Sequence, residues 1–517
     1  MAGPRLEIER LKVSQIIEDY RNGRLVVPEF QRDYVWKPSR APKLVDSIYR
    51  GYPISVLLLW ASDSDTRARS QNPRPIRAGT ISWLIDGQQR VITLSKILDG
   101  EDGIDVVFNP DEADGTFKLS NAATPQDRRW YRVSEILDDE LFRKLRKDLG
   151  DGAKADKREA RFEQLRRIRD YEIPAVRMMD HPFNEAVAAF TRINTLGVKL
   201  RTGDIESARV AARHTGFIAD EVAPFVSKLR SEGFSRLNVM HLFRACAFVA
   251  LPDGRKRTPL HELSRSDIDS AWARTRKATE QAIALIRNEF GLLNMEILWS
   301  GALFVPVIAL CASKGPQERD PRGIAGWLAM AALMHRYSKS SETALDQDLR
   351  ACRADDAIGK LLTNIRSEAG GFGASASDFR GGLNDKGGLF ATYVACRHRG
   401  LVDLFSGAKI FLQKNVDRHH LLPRAQFPDR TRSLADNVAN IAFITGEVNR
   451  AIGASSPEVY LRRLSKTVLE SQCIPLDQAL WRIDRAEEFW NARRDLLASA
   501  FNDWLRTGLP GRRIIAD

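Results

Sequence analysis

The spacing of apolar positions gives the chain three textures. In the first, short strand-like runs alternate with short helical ones. Leu25 to Val27 form an apolar run that ends at Pro28, and Ile54 to Trp60 and Ile81 to Ile85 are apolar runs of strand length. Arg40 to Arg50 carry apolar residues at helical spacing, and a second helical repeat follows Asp86 and runs to Leu98. The polar, Pro-containing residues 62 to 80 predict a loop, and Ile173 to Arg177 another strand. Helical periodicity then takes over, in Val222 to Leu229, Val239 to Ala250, Ala271 to Phe290 and Ile324 to His335, with Leu345 to Leu362 continuing it. Gly370 to Gly373 and Gly381 to Gly388 punctuate its end. The last texture reads strand, loop, strand, helix, followed by helices rich in Arg and Trp. No internal repeat is visible.

This pattern predicts a multidomain α+β chain divided at residues 1–210, 211–385 and 386–517. A length of 517 residues fits that division, since one hydrophobic core rarely serves so long a chain. With 43% apolar and 28% charged residues the composition is that of a globular protein, not a disordered one. No apolar run approaches the roughly 18 residues that span a bilayer, and MAGPRLEIERLKVSQ has no signal-peptide core. Cys246, Cys311, Cys352, Cys396 and Cys473 are scattered and never form a Cys-x-x-Cys pair. That argues against a disulfide framework or zinc ribbon and predicts a reducing, cytoplasmic setting.

Charge narrows the partner. A net charge of +12 favours a polyanion, because bound Lys and Arg release phosphate counterions. The stretch from Glu140 to Tyr171 is the most charged. It reads either as a solvated helical hairpin turning at Gly150 to Gly152 or as a basic arm along a nucleic-acid backbone.

The densest candidate chemistry lies near the C-terminus, in Asp417-Arg418-His419-His420-Leu421-Leu422-Pro423, then Asn440-Ile441-Ala442-Phe443-Ile444, then Asn449-Arg450. Phosphodiester hydrolysis needs a divalent cation to stabilise charge and a base to activate water. On a strand-loop-strand-helix, His419 and Asn449 would hold the cation from two sides. His420, the next residue on an extended strand, would point the other way, towards the water. Asn440 would pin the loop between the strands or orient the base, and Asp417 would support a ligand imidazole from behind.

A second cluster follows the strand ISWLI: Asp86-Gly87-Gln88-Gln89-Arg90 opens a helix, the layout of a phosphate site. Gly87 allows a tight turn, Arg90 adds a forked donor, Gln88 and Gln89 would orient a water or base, and Asp86 would hold a metal or hydroxyl. A plain helix cap gives the same pattern. Pro28-Glu29-Phe30-Gln31-Arg32-Asp33-Tyr34-Val35-Trp36 precedes it and Phe190-Thr191-Arg192-Ile193-Asn194 follows. Tyr34 and Trp36 read as core residues or as a base-stacking platform.

The H-H-x-x-P, N-I-x-x-I and N-R series resembles the HNH, or ββα-metal, nucleases. In particular it is similar to the HNH domain of GmrSD-type restriction proteins. The resemblance implies His419 and Asn449 as metal ligands, His420 as general base and Asn440 as the structural asparagine. The D-G-Q-Q-R segment, with its flanking motifs, resembles the GmrSD N-terminal family, which has a ParB/sulfiredoxin-like core. That resemblance implies binding and hydrolysis of GTP or ATP at Asp86, Gly87, Gln88, Gln89 and Arg90, with Gln31 and Arg32, and also Arg192 and Asn194, lining the pocket.

The expected function is then a Mg²⁺- or Mn²⁺-dependent DNA endonuclease of a prokaryotic anti-phage defence system, nicking or cleaving DNA under nucleoside-triphosphate control. Family analogy makes the DNA modified, by phosphorothioate (the SspE-like members) or by modified cytosine. A homo-oligomer and a functional link to host DNA-modification proteins are further expectations. Two other readings stay open: a nucleotide-switched DNA-binding regulator with an inactive HNH site, and an RNA-cleaving toxin.

Overall fold

The structure, a computed structural model, describes residues 4–28, 34, 36–62, 81–100, 104–112, 114–121, 124, 127, 129–182, 185–189, 192, 202–214, 216–251, 259–338, 341–369, 372–411 and 416–508. The chain divides into two compact units, residues 1–224 and 225–517. The helical stretch and the strand-bearing C-terminal stretch thus lie within one unit. Among the described residues, no helix is long and apolar enough to cross a membrane.

The first unit is built on a mixed five-stranded sheet. Strand β1 (Arg5–Lys12) leads into helix α1 (Val13–Arg21) and the short strand β2 (Leu25–Val26). Helix α2 (Ala41–Tyr49), strand β3 (Leu57–Ser62), strand β4 (Ile81–Asp86) and helix α3 (Gln88–Asp99) follow. Strands β5 (Val106–Asn109), β6 (Thr116–Leu119) and β7 (Tyr131–Arg132) form a separate small sheet in the order β6-β5-β7. Helices α4 (Val133–Leu137), α5 (Asp139–Asp148) and α6 (Ala153–Arg166) then precede strand β8 (Glu172–Met179). In the main sheet the order is β1-β8-β3-β4-β2. Neighbours β1 and β8 are antiparallel, β8 and β3 parallel, β3 and β4 antiparallel, and β4 and β2 parallel.

The apolar spacing of α1 and α2 explains how they cover this sheet. Ile16, Ile17, Leu44, Val45 and Ile48 pack into one core with Leu57, Leu59, Leu84, Val91 and Leu94. The charged stretch resolves into the solvated hairpin: α5 and α6 bury Phe142, Phe162 and Leu165 and leave most of their charged residues exposed. Gly150 and Gly152 make the turn with φ of +70° and +111°, a region open to glycine. Asp138 caps α5 by accepting from the Glu140 and Leu141 amides.

The second unit is mostly helical: α7 (Val239–Ala250), α8 (Arg265–Phe290), α9 (Phe304–Ser313), α10 (Pro321–Leu333), α11 (Ser341–Ala351), α12 (Ala357–Ala369) and α13 (Lys386–His398). Two boundaries differ from the apolar pattern. Helix α8 begins six residues before Ala271, because Ser264 caps it by accepting from the Asp267 amide. The stretch from Leu345 to Leu362 is two helices rather than one. Asp356 starts the second by accepting from the Gly359 amide at 2.9 Å. Strands β9 (Val416–His420) and β10 (Ile441–Thr445) then pair antiparallel, helix α14 (Gly446–Ile452) follows at once, and helix α15 (Ala486–Gly508) closes the unit.

Candidate functional site

The β9–β10–α14 segment brings together every residue singled out near the C-terminus. In the hairpin, Ala442 lies opposite His419 and Ile441 opposite His420. Alternation along β9 sends Asp417 and His419 to one face and Arg418 and His420 to the other. Helix α14, capped by the Thr445 hydroxyl, presents Asn449 to the first face.

There a chain of polar contacts runs from carboxylate to imidazole to phenol. Asn449 Nδ2 donates to Asp417 Oδ2 at 2.9 Å, and Asn449 Oδ1 lies 2.9 Å from His419 Nδ1. Because the carboxylate accepts only from the NH₂ end of the amide, Asp417 fixes which way Asn449 faces and aims its oxygen at His419. Asp417 therefore supports the asparagine, not an imidazole as the sequence suggested. On the far side of the buried ring, His419 Nε2 lies 3.4 Å from the Tyr460 hydroxyl, which donates to the Leu421 carbonyl at 2.6 Å. Burial, more than the opposing contact with Asn449, holds the His419 imidazole down at about 4, so it is neutral at neutral pH.

A neutral imidazole nitrogen and an amide oxygen are the donors that a hard or borderline divalent cation takes. Adjacent donors held about 2.1 Å from an octahedral ion lie about 3.0 Å apart, close to the His419–Asn449 separation of 2.9 Å. Tyr460 suits the same arrangement, because it can accept from Nε2–H and leave Nδ1 with its lone pair. Among the described residues no group of three or more His, Cys, Asp or Glu side chains converges on one point. An ion here would thus keep oxygens of water or phosphate, as Mg²⁺ does.

On the opposite face, His420 Nε2 lies 3.0 Å from Asp436 Oδ1, and Arg424 approaches the other carboxylate oxygen at 3.7 Å. The Asp436 backbone is itself fixed, its carbonyl accepting from the Leu383 amide at 3.1 Å. Asn440 is fully buried and ties the loop together: Oδ1 accepts from the Leu422 amide at 2.9 Å, and Nδ2 donates to the carbonyls of Leu422 at 3.0 Å and Ala435 at 2.9 Å. Of its two suggested roles, it fills the pinning one. Behind it, buried Arg493 of α15 donates to the carbonyls of Ala439, Ile441 and Gln472. Asp436 and Tyr460 escaped the sequence pattern. They lie 16 and 41 residues from the histidines they meet, and no motif spacing marks them.

The N-terminal cluster takes another form. Gly87 has φ +102° between β4 and α3, and a Cβ there would run into the Leu57 side chain, so both the turn and the packing require glycine. Arg90 is buried, and its fork is already occupied. Nη1 donates to the Ile54 carbonyl at 2.7 Å and Nη2 to that of Val56 at 2.8 Å, with Asp86 at 3.5 Å. Burial lowers its pKa, against the pull of Asp86. The expectation of a guanidinium open to phosphate is corrected here, since Arg90 braces the chain entering β3. Gln88 and Gln89 are buried too, and Gln89 Oε1 accepts from the Trp36 amide at 3.1 Å. Tyr34 and Trp36 pack partly buried against the core rather than standing out as a platform. Asp86 is the most exposed polar side chain of the motif, at 39%. Gln31, Arg32 and Asn194 lie outside the described residues, and Arg192 is exposed.

Comparison with known proteins covers both units unequally. A family model described as "GmrSD restriction endonuclease, N-terminal domain" matches residues 13–211, from α1 past β8. The uncharacterized protein MJ0686 of Methanocaldococcus jannaschii is 20% identical over 87% of this chain and 86% of its own length. Residues 13–211 are thus similar to the N-terminal domain of the GmrSD restriction endonucleases.

Proposed function

We propose that the chain is a DNA endonuclease of a restriction-type defence system, with its cutting site in the β9–β10–α14 unit. The observation that carries this reading is the pairing of His419 Nδ1 with Asn449 Oδ1 at 2.9 Å, with Asp417 fixing the amide and Tyr460 backing the ring. His419 and Asn449 would hold Mg²⁺ or Mn²⁺, which when bound would supply charge stabilisation at the scissile phosphate and leaving oxygen. His420, held through Nε2 by Asp436, keeps Nδ1 to accept a proton from the attacking water. Asn440 keeps the two histidines in register by locking the chain on either side of the hairpin.

The first unit supplies control in this reading. A nucleoside triphosphate, GTP or ATP, would bind beside Asp86 at the start of α3. Its binding or hydrolysis, together with the modification state of the DNA, would license cutting.

The test is conversion of supercoiled plasmid, grown with and without DNA modification, in Mg²⁺ or Mn²⁺ and with or without GTP or ATP. Nicked or linear product is expected from the wild-type chain and at least about 100-fold less from His420→Ala. Asn449→Ala and chelation by EDTA should abolish it likewise. Cleavage of RNA but not DNA would move the reading to a ribonuclease. No cleavage of either, with DNA binding retained, would move it to a binding regulator.

A further inference from the structure

Three basic side chains from distant stretches of the second unit meet on one short segment. Lys386, the first residue of α13, donates Nζ to the Glu296 carbonyl at 3.0 Å. Arg418 of β9 places Nη2 3.3 Å from Glu296 Oε1. Arg236 donates Nη1 to the Trp299 carbonyl at 2.9 Å. Among the described residues, the carboxylate that faces them is that of the exposed Glu296. The nearby Asp385 is engaged elsewhere, accepting from His335 Nε2 at 3.0 Å and from the Gly388 amide at 2.9 Å.

For Lys386 this arrangement carries an electrostatic cost. Lys386 stands at the N-terminal end of a helix, where the backbone dipole is already positive. It is partly buried, and its pKa is lowered, first by burial and then by repulsion from Arg236 and Arg418, against the attraction of Glu296. An exposed ion pair such as Arg418–Glu296 offsets little of that cost, because water screens it. Three cations gathered about one carboxylate leave this surface with net positive charge, which a bound anion would neutralise.

Position identifies the anion. Arg418 and His420 lie two residues apart on the same face of β9, about 7 Å along the strand. The cluster therefore adjoins the candidate base on the face away from Asp417 and His419. We propose that Arg236, Lys386 and Arg418 form a phosphate-binding surface that holds the sugar-phosphate backbone of the DNA strand running past His420. This inference rests on the nuclease reading above.

The experiment uses the full chain carrying His420→Ala, so that DNA is bound and not cut, with a fluorescent duplex titrated across about 50–300 mM salt. Adding Lys386→Gln or Arg418→Gln should weaken binding about tenfold each and lower the slope of log K against log salt by about one. Lys386→Gln should leave the thermal midpoint unchanged or raised, since it removes a repelled charge. Binding and slope equal to those of the parent would overturn the proposal, as would weakened binding that tracks a lowered midpoint. If the parent binds no duplex, both this surface and the nuclease reading fall. If it binds duplex while the wild type cuts no plasmid, the nuclease reading alone falls and the surface is judged by its variants.

Discussion

At the scale of single residues, burial decides what each polar group can do. His241 completes the capping box at the start of α7, its ring accepting from the Asn238 amide at 3.3 Å while Asn238 accepts from the His241 amide. Burial holds this imidazole down at about 4, below its ordinary 6.5. The unfolded chain therefore takes up the proton first as pH falls. The stability that neutral His241 contributes is complete above about pH 6.5 and is lost as pH falls towards 4, on the order of 3 kcal/mol at most. His241→Gln keeps a capping acceptor and removes the titration. Its thermal midpoint should drop less than that of the wild type between about pH 7 and 4.5; equal drops would refute this account. His419, His420, Asn440 and Asn449 were legible in the sequence because their spacing is fixed by one hairpin and one helix. Asp436 and Tyr460 were not, because folding alone brings them to the histidines. Arg90 was misread for a related reason: a motif shows which donors exist, and only the packed structure shows which carbonyls they already serve.

At the scale of elements, helix ends account for a feature that otherwise looks like a ligand site. A cavity of about 320 Å³ in the second unit is lined by Phe248, Ser313, Arg274, Lys314 and Arg353, among others. Helices α7, α9 and α11 all end beside it, and the last carbonyls of α7 carry the negative end of that helix's dipole. Cations answer the end of α7 and the turn after α11. Arg274 approaches the Val249 carbonyl and Arg353 that of Phe248, each at 3.4 Å, and Lys314 donates to that of Asp355 at 2.9 Å. Arg353 also lies 4.4 Å over the Phe248 ring. Arg353→Ala should destabilise the end of α7 by about 1 kcal/mol, seen as faster amide hydrogen exchange over its last turn. Unchanged exchange there would show that the guanidinium does not support the helix end. The same contrast explains the boundaries that the apolar pattern misplaced. Periodicity reports which face is buried, whereas Ser264 and Asp356 set where a helix begins through hydrogen bonds that leave no periodic trace.

At the scale of the whole molecule, the proposed control of cutting in the second unit by a nucleotide bound to the first can be tested, and the choice of variant matters. Arg90 holds the Ile54 and Val56 carbonyls with a buried charge, so Arg90→Ala should lower the melting temperature of the first unit and report on folding. Asp86 is more exposed, and among the described residues its side chain makes only the long contact with Arg90. Asp86→Asn should leave melting nearly unchanged while lowering nucleotide turnover and nucleotide-dependent plasmid cutting at least tenfold. Turnover equal to that of the wild type would remove Asp86 from the nucleotide site. The mixed sheet of the first unit and the helices of the second were legible as texture, because each repeats its period several times. The strand order β1-β8-β3-β4-β2 was not, since it joins strands more than 150 residues apart that share no local signal.

Arg493 ties the carbonyls on either side of Asn440 to the last helix of the described chain, and this has a consequence during synthesis. A ribosome releases His419, His420 and Asn449 well before residue 493, so for that interval the loop that Asn440 pins lacks its rear support. A transcript broken or stalled within that interval yields a polypeptide bearing every residue of the proposed cutting site and not the guanidinium that braces its frame. If the site cuts DNA as proposed, late arrival of that brace would leave unfinished copies the less active ones.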